Sequence, residues 1–69
     1  MATVADLSHR EIQVLRGIAN DRTYPQIGHE LNLSHETIKS YASRLRAKLG
    51  CDTKIGLALW ATANLPKEE

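Results

Sequence analysis

The stretch that decides the fold runs from Thr23 to Gly50 and reads TYPQIGHELNLSHETIKSYASRLRAKLG. Most of its apolar residues recur three or four positions apart, the spacing of one buried face of a helix. They form two successive stripes, at Ile27, Leu31, Leu33 and Ile38 and then at Ile38, Ala42, Leu45 and Leu49. Asn32, which tolerates the left-handed backbone at a helix end, interrupts the first stripe, and Ser34 can cap a new helix. The stretch therefore predicts two amphipathic helices that cross at a short turn.

Cap and stop signals predict where the other helices begin and end. Ser8 and Glu11 have the spacing of a capping box, in which each side chain bonds the backbone amide of the other residue. Thr23 and Gln26 repeat that spacing, with Pro25 in the first turn, where no amide donor is needed. The remaining signals are Gly50 after the third helix, Asp52 or Thr53 before the fourth, and about Asn64 at its end. The predicted fold is all-α, a compact four-helix domain that contains a helix-turn-helix.

The composition is that of one small folded domain. The 69 residues are 42% hydrophobic and 25% charged, which excludes a disordered tail. We expect residues 1–6 to be a flexible N-terminal lead, residues 7–65 to form the domain and residues 66–69 to be a charged C-terminal tail. The first residues lack the order of a signal peptide, no apolar run can cross a membrane, and the single cysteine cannot form an internal disulfide. The expected location is therefore the cytoplasm.

Positive charge is concentrated in one part of a nearly neutral chain. The net charge is +1, yet the segment 37–54 carries five cations against the single acid Asp52. These cations are Lys39, Arg44, Arg46, Lys48 and Lys54. Charge clustering alone is more often a solvated helix face than a binding surface. Together with the helix-turn-helix spacing, however, it favours a nucleic-acid partner.

The outer face of the third helix combines small residues with cations, which suits a helix that enters the major groove of DNA. The residues predicted to face bases are Lys39, Ser40 and Ser43. Those predicted to face phosphates are Thr23, Tyr24, Thr37, Arg44, Arg46 and Lys48. Thr23 and Tyr24 belong to this set because the free amides at a helix start bind anions. Glu36 is better explained by the positive helix start than by a contact to cytosine.

Several pieces of the chain occur together in one known family. They are Leu7 to Leu15 (LSHREIQVL), Ile27, Leu31, Leu33-Ser34, Thr37-Ile38-Lys39 and Lys48-Leu49-Gly50. From Leu7 to about Ala61 the chain resembles the LuxR/FixJ-type DNA-binding domain of bacterial transcription regulators. The resemblance implies a domain whose third helix reads the major groove of double-stranded DNA and which binds as a homodimer. The chain departs from the family pattern at Asp21 for glycine, Pro25 for a basic residue, Gly28 for alanine, Tyr41 for histidine and Lys54 for arginine.

The fourth helix is apolar nearly all round, so one of its faces has no obvious use within so small a domain. The resemblance favours Leu57, Ala58 and Ala61 inside. Exposed apolar area usually marks an interface. The predicted dimer interface is therefore Ile55, Leu59 and Trp60, although Trp60 covering the rim of the core is an equal alternative for that residue.

Two other functions fit the same pattern. One is a sigma-factor-like promoter-binding domain, for which RNA polymerase is the partner; RNA polymerase is also a candidate partner of a LuxR-type regulator. The other is a helix-turn-helix used as a protein-interaction module. We expect no enzyme activity, no cofactor and no metal, because His9, His29 and His35 are spread over three elements and no second cysteine is present.

Overall fold

The computed structural model describes residues 3–66. It contains a short 3-10 helix, Val4–Asp6, followed by four α-helices and, within residues 3–66, no strand. The α-helices are α1 (His9–Ala19), α2 (Tyr24–Leu31), α3 (His35–Leu49) and α4 (Lys54–Asn64). The predicted all-α, four-helix architecture is confirmed.

Local capping fixes where each helix begins. The Ser8 hydroxyl accepts from the Glu11 amide at 3.1 Å, while the Ser8 amide donates to Glu11 Oε1 at 2.8 Å. Thr23 and Gln26 form the same pair of bonds at the start of α2, whereas at the start of α3 the Ser34 hydroxyl accepts from the Thr37 amide. The sequence predicted either Asp52 or Thr53 as the cap of α4. The cap is Thr53, whose Oγ1 accepts from the Gly56 amide at 2.9 Å.

Left-handed backbone conformations end the first three helices. Asp21, Asn32 and Gly50 have φ values of 62°, 57° and 68°. Proteins that resemble this chain usually have glycine at the position of Asp21. The positive φ explains that preference, because glycine adopts the left-handed conformation without steric cost. Gly28 permits the tight turn between α2 and α3, since an added Cβ would lie 2.6 Å from the backbone oxygen of Leu33.

The core forms where α1 packs against α3 and α4 and α2 packs against α3. Its buried members are Leu7, Val14, Leu15, Ile18, Ile27, Ile38, Ala42, Leu45, Leu57 and Ala61. Each fully buried leucine, isoleucine or valine side chain contributes about 1.5–3 kcal/mol of transfer free energy. Because α3 places residues from three successive turns in this core, the core determines which face of α3 remains in solvent.

The N-terminal lead differs from the expectation of a segment without regular structure. Val4–Asp6 forms the 3-10 helix, and the Thr3 amide donates to Asp6 Oδ2 at 2.7 Å. Thr3 and Asp6 repeat the capping spacing with aspartate in place of glutamate, a local signal that the expectation missed. Met1 and Ala2, and residues 67–69 of the predicted charged tail, lie outside the described residues.

The C-terminal end of α4 is tied back to α1. Arg16 Nη1 donates to the backbone oxygen of Pro66 at 2.8 Å, so the beginning of the predicted tail contacts the domain. Among residues 3–66, none of the helices combines the length and apolar character needed to span a membrane.

Candidate nucleic-acid interface

The outer face of α3 is open to solvent along its whole length. Lys39, Ser40 and Ser43 are exposed, as are Glu36 and Ala47 beside them. On the opposite face, Ile38, Ala42 and Leu45 are each 0% exposed. Because serine and alanine side chains are short, the helix backbone can approach a partner closely on this face. The predicted orientation of α3 is confirmed, whereas the base contacts assigned to Lys39, Ser40 and Ser43 stay a prediction.

The first turn of α3 is held by its own cap. Ser34 Oγ accepts from the Thr37 amide at 3.1 Å and lies 2.8 Å from the Thr37 hydroxyl oxygen. Glu36 is exposed in this turn, where a carboxylate is favoured by the positive end of the helix dipole. The hydroxyl of Thr37 is therefore already engaged with Ser34, yet its oxygen is able to share a further hydrogen bond with a bound group.

The starts of α2, α3 and α4 meet around the ring of Tyr24. The Lys54 ammonium lies 4.7 Å from the centroid of that ring, and its Nζ donates to the backbone oxygen of Arg22 at 3.2 Å. The ring of His35 lies 6.3 Å from the Tyr24 ring, centroid to centroid. Lys54 thus places a positive charge beside Thr23 and Tyr24, two residues predicted to face phosphate.

Sequence reasoning counted Lys54 among the clustered cations but gave it no position at the site. It begins α4, and only the packing of α4 brings it to the start of α2. The only available signal was the resemblance, in which a cation opens the fourth helix.

The cations near the end of α3 are held in different ways. The Arg44 guanidinium lies 4.7 Å from the centroid of the Tyr41 ring and remains exposed, while Arg46 is half-buried. Lys48 Nζ donates to Glu11 Oε1 at 3.1 Å, to Glu11 Oε2 at 3.3 Å and to the backbone oxygen of Asp6 at 3.1 Å. Lys48 was predicted to face phosphate, but its ammonium instead contacts α1 and the N-terminal 3-10 helix.

Glu11 is held in its ionised form. The hydrogen bond from the Ser8 backbone amide lowers the pKa of the Glu11 carboxyl, burial opposes this, and the Lys48 ammonium lowers it further. The hydrogen bonds that lower the pKa of Glu11 stabilise the negative charge that faces Lys48.

The outward face of α4 exposes two large apolar side chains. Ile55 is 73% exposed and Leu59, one turn later, is 66% exposed. Trp60 is half-buried and packs against the core. This matches the alternative prediction that Trp60 covers the rim of the core. Leu57 and Ala61 are buried and Ala58 is half-buried, as predicted. The predicted dimer interface stays a prediction, with Ile55 and Leu59 as its exposed part.

Among residues 3–66, no three histidine, cysteine, aspartate or glutamate side chains lie close enough together to hold a metal ion.

Comparisons with known proteins identify the family. The sequence profile of the bacterial regulatory proteins of the luxR family matches residues 5–61. A Pseudomonas aeruginosa protein named "Putative transcriptional regulator" is 41% identical over 51 residues, which cover 74% of this chain and 25% of that protein. The Fimbriae Z protein of Salmonella typhimurium is 34% identical over 58 residues, which cover 84% of this chain and 28% of that protein.

The chain thus spans about a quarter of the length of these relatives. No solved structure matches it significantly. The match over residues 5–61 covers most of the chain and includes every helix from α1 to Ala61 of α4. The chain belongs to the LuxR family of bacterial regulatory proteins.

Proposed function

We propose that this chain binds double-stranded DNA in a sequence-specific manner and regulates transcription, with α3 as the recognition helix in the major groove. The observation that carries the proposal is the outer face of α3, on which short and cationic side chains are exposed while the opposite face is buried in the core. A helix of this kind fits a groove about 12 Å wide, and its side chains reach the base edges.

The bases are read by Lys39, Ser40 and Ser43. The Lys39 ammonium donates to guanine O6 or N7, and the serine hydroxyls donate to or accept from several bases. The three side chains are exposed and lie within little more than one turn of α3, so they address neighbouring base pairs.

The phosphates are bound at both ends of α3. Thr23, Tyr24 and Thr37 supply donors near the helix starts, where free amides also favour an anion. The cations that reach phosphates near the end of α3 are Arg44 and Arg46. Lys48 ranks below them because it must give up its hydrogen bonds to Glu11 and Asp6 to bind a phosphate.

Binding as a homodimer follows from the exposed face of α4. Two copies that bury Ile55 and Leu59 against each other, with Trp60 at the edge, place two α3 helices on half-sites about 34 Å apart. The preferred DNA site is therefore palindromic or nearly so. RNA polymerase is a further partner of a regulator bound beside a promoter, and the cytoplasm is where both partners are found.

The function is tested by titrating the chain onto duplex DNA at several salt concentrations and following fluorescence anisotropy. Affinity falls with salt because bound phosphates release counterions, and Arg46→Ala reduces the slope of log affinity against log salt by about 1 on every sequence. Lys39→Ala lowers sequence preference on a selected site by about 1–3 kcal/mol.

Arg16→Gln is the matched control, because Arg16 contacts Pro66 beyond the end of α4 and lies on another part of the surface. It leaves sequence preference at the parental value. Absence of binding at low salt would overturn the proposal and favour the protein-interaction module.

A further inference from the structure

Glu11 is the one charged residue that is buried among residues 3–66, with 9% of its surface exposed. It lies in the first turn of α1, and Oε1 accepts from both the Ser8 amide and the Lys48 ammonium. Burying a charge is costly unless a partner and hydrogen bonds compensate for it. Capping the start of α1 does not by itself explain why a charged residue is buried at this position.

The cap of α1 does not require a charge. The start of α2 has the same capping box with Gln26 in place of glutamate, and there the Thr23 amide donates to Gln26 Oε1 at 2.8 Å. The corresponding distance from the Ser8 amide to Glu11 Oε1 is also 2.8 Å. An amide oxygen therefore makes the same capping contact as the carboxylate, and the contact of Glu11 with the Lys48 ammonium is the one that the cap does not need.

Lys48 lies in the last turn of α3, in which no residue is fully buried. Leu45 is buried, but in the turn that follows it Leu49 is half-buried and Ala47 and Lys48 are exposed. The ammonium of Lys48 joins this turn to the carboxylate of α1 and to the Asp6 carbonyl of the 3-10 helix. This contact restrains the end of α3 from a side that the apolar core does not cover.

We infer that Glu11 is a positioning residue for DNA binding, which acts through Lys48 to set the direction of the C-terminal half of α3. The inference rests on the proposed function. Arg44 and Arg46 are on the same half of the helix, so a change in its direction moves their guanidinium groups relative to the phosphates. Lys48 is then a structural cation rather than a phosphate ligand.

Two roles of Lys48 predict opposite effects of Glu11→Gln, a variant that keeps the cap and removes the charge. If Lys48 bound phosphate under restraint from Glu11, the variant would release it, and both affinity and salt slope would rise. If Glu11 positions α3, the variant lowers affinity about 3- to 10-fold and does not raise the salt slope, because Arg44 and Arg46 fit the phosphates less well and Lys48 does not bind one.

The experiment titrates six proteins onto one duplex at several salt concentrations: the parent, Glu11→Gln, Lys48→Met, Lys48→Arg, the double variant Glu11→Gln/Lys48→Met, and Glu30→Gln. Circular dichroism selects a temperature at which every variant is folded, so that lost stability does not register as lost binding. Glu30→Gln is the charge-matched control, since it removes one acid from the exposed pair that Glu30 forms with Arg22 at 2.7 Å. It leaves affinity unchanged or raises it slightly.

Lys48→Met lowers affinity as much as Glu11→Gln does, and the double variant loses no more than either single variant, because both act through one contact. Lys48→Arg, which can still bond the carboxylate, loses less affinity than Lys48→Met does. Equal or tighter binding by Glu11→Gln, or a salt slope that falls by about 1 for Lys48→Met but not for Glu11→Gln, overturns this inference while the proposed function stands. If the parent chain binds no DNA, the proposed function is wrong, and the role inferred for Glu11 is wrong as well.

Discussion

Leu59→Asp tests whether the exposed face of α4 couples two copies on DNA. Leu59 is 66% exposed, so a partner copy can still bury about two thirds of it. Full burial of a leucine side chain contributes about 1.5–3 kcal/mol, so this residue contributes about 1–2 kcal/mol from each copy and about 2–4 kcal/mol from both. Its loss alone weakens the dimer about 30- to 1,000-fold, and two facing carboxylates weaken it further.

The assay compares a full palindromic site, chosen by selection with the parent chain, with a duplex that carries one half-site. The parent binds the full site much more tightly than the half-site, whereas Leu59→Asp binds both with nearly equal affinity. Binding to the half-site itself changes little, because Leu59 is not among the predicted DNA contacts. Since the side chain is exposed in one copy, unfolding free energy changes by no more than about 0.5 kcal/mol.

Asn20→Asp controls for the added charge, because Asn20 is exposed at the end of α1 rather than on this face of α4. It preserves the preference of the parent for the full site. If Leu59→Asp bound the full site as tightly as the parent does, the exposed face of α4 would have no role in pairing the recognition helices.

Two further predictions concern stability. Thr53→Ala lowers the unfolding free energy by about 1 kcal/mol in urea titrations because it removes the cap of α4, whereas Asp52→Ala has little effect; equal losses would contradict the assignment of the cap. The stability advantage of the parent over Glu11→Gln depends on pH, because the folded pKa of Glu11 is lowered. A lowered pKa stabilises the fold above the unfolded value of about 4.3, and the advantage disappears as the pH falls through the folded pKa. An advantage that is the same at pH 7 and pH 3 would refute the role of the charge.

The helix boundaries were predictable because local interactions determine them. The caps at Ser8, Thr23 and Ser34 bond residues three positions away, and the left-handed turns at Asn32 and Gly50 depend on the backbone preferences of those residues. The 3-10 helix was missed although its signal was equally local. The buried face of α3 was predictable from helical periodicity. Because α4 is apolar nearly all round, its buried face was predicted from the family resemblance instead.

The position of Lys54 beside Tyr24 and the pairing of Lys48 with Glu11 were beyond sequence reasoning. On a helical wheel, Lys48 is one more cation at the edge of the outer face, and nothing local distinguishes it from Arg44. Its partner lies 37 positions earlier in the chain, so the contact exists only after α1 has packed against α3.

Periodicity, caps and motifs are properties of neighbouring residues, so four helices, their boundaries, the face that α3 leaves in solvent and membership of the LuxR family could be predicted without a structure. Which cations are available to a partner depends instead on how the helices pack. A charged side chain bonds whatever acceptor lies within about 3 Å, and the distance between groups that are remote in sequence depends on how the helices pack. Packing therefore directs Lys48 toward Glu11, brings Lys54 to the start of α2 and leaves Lys39 and Arg44 exposed.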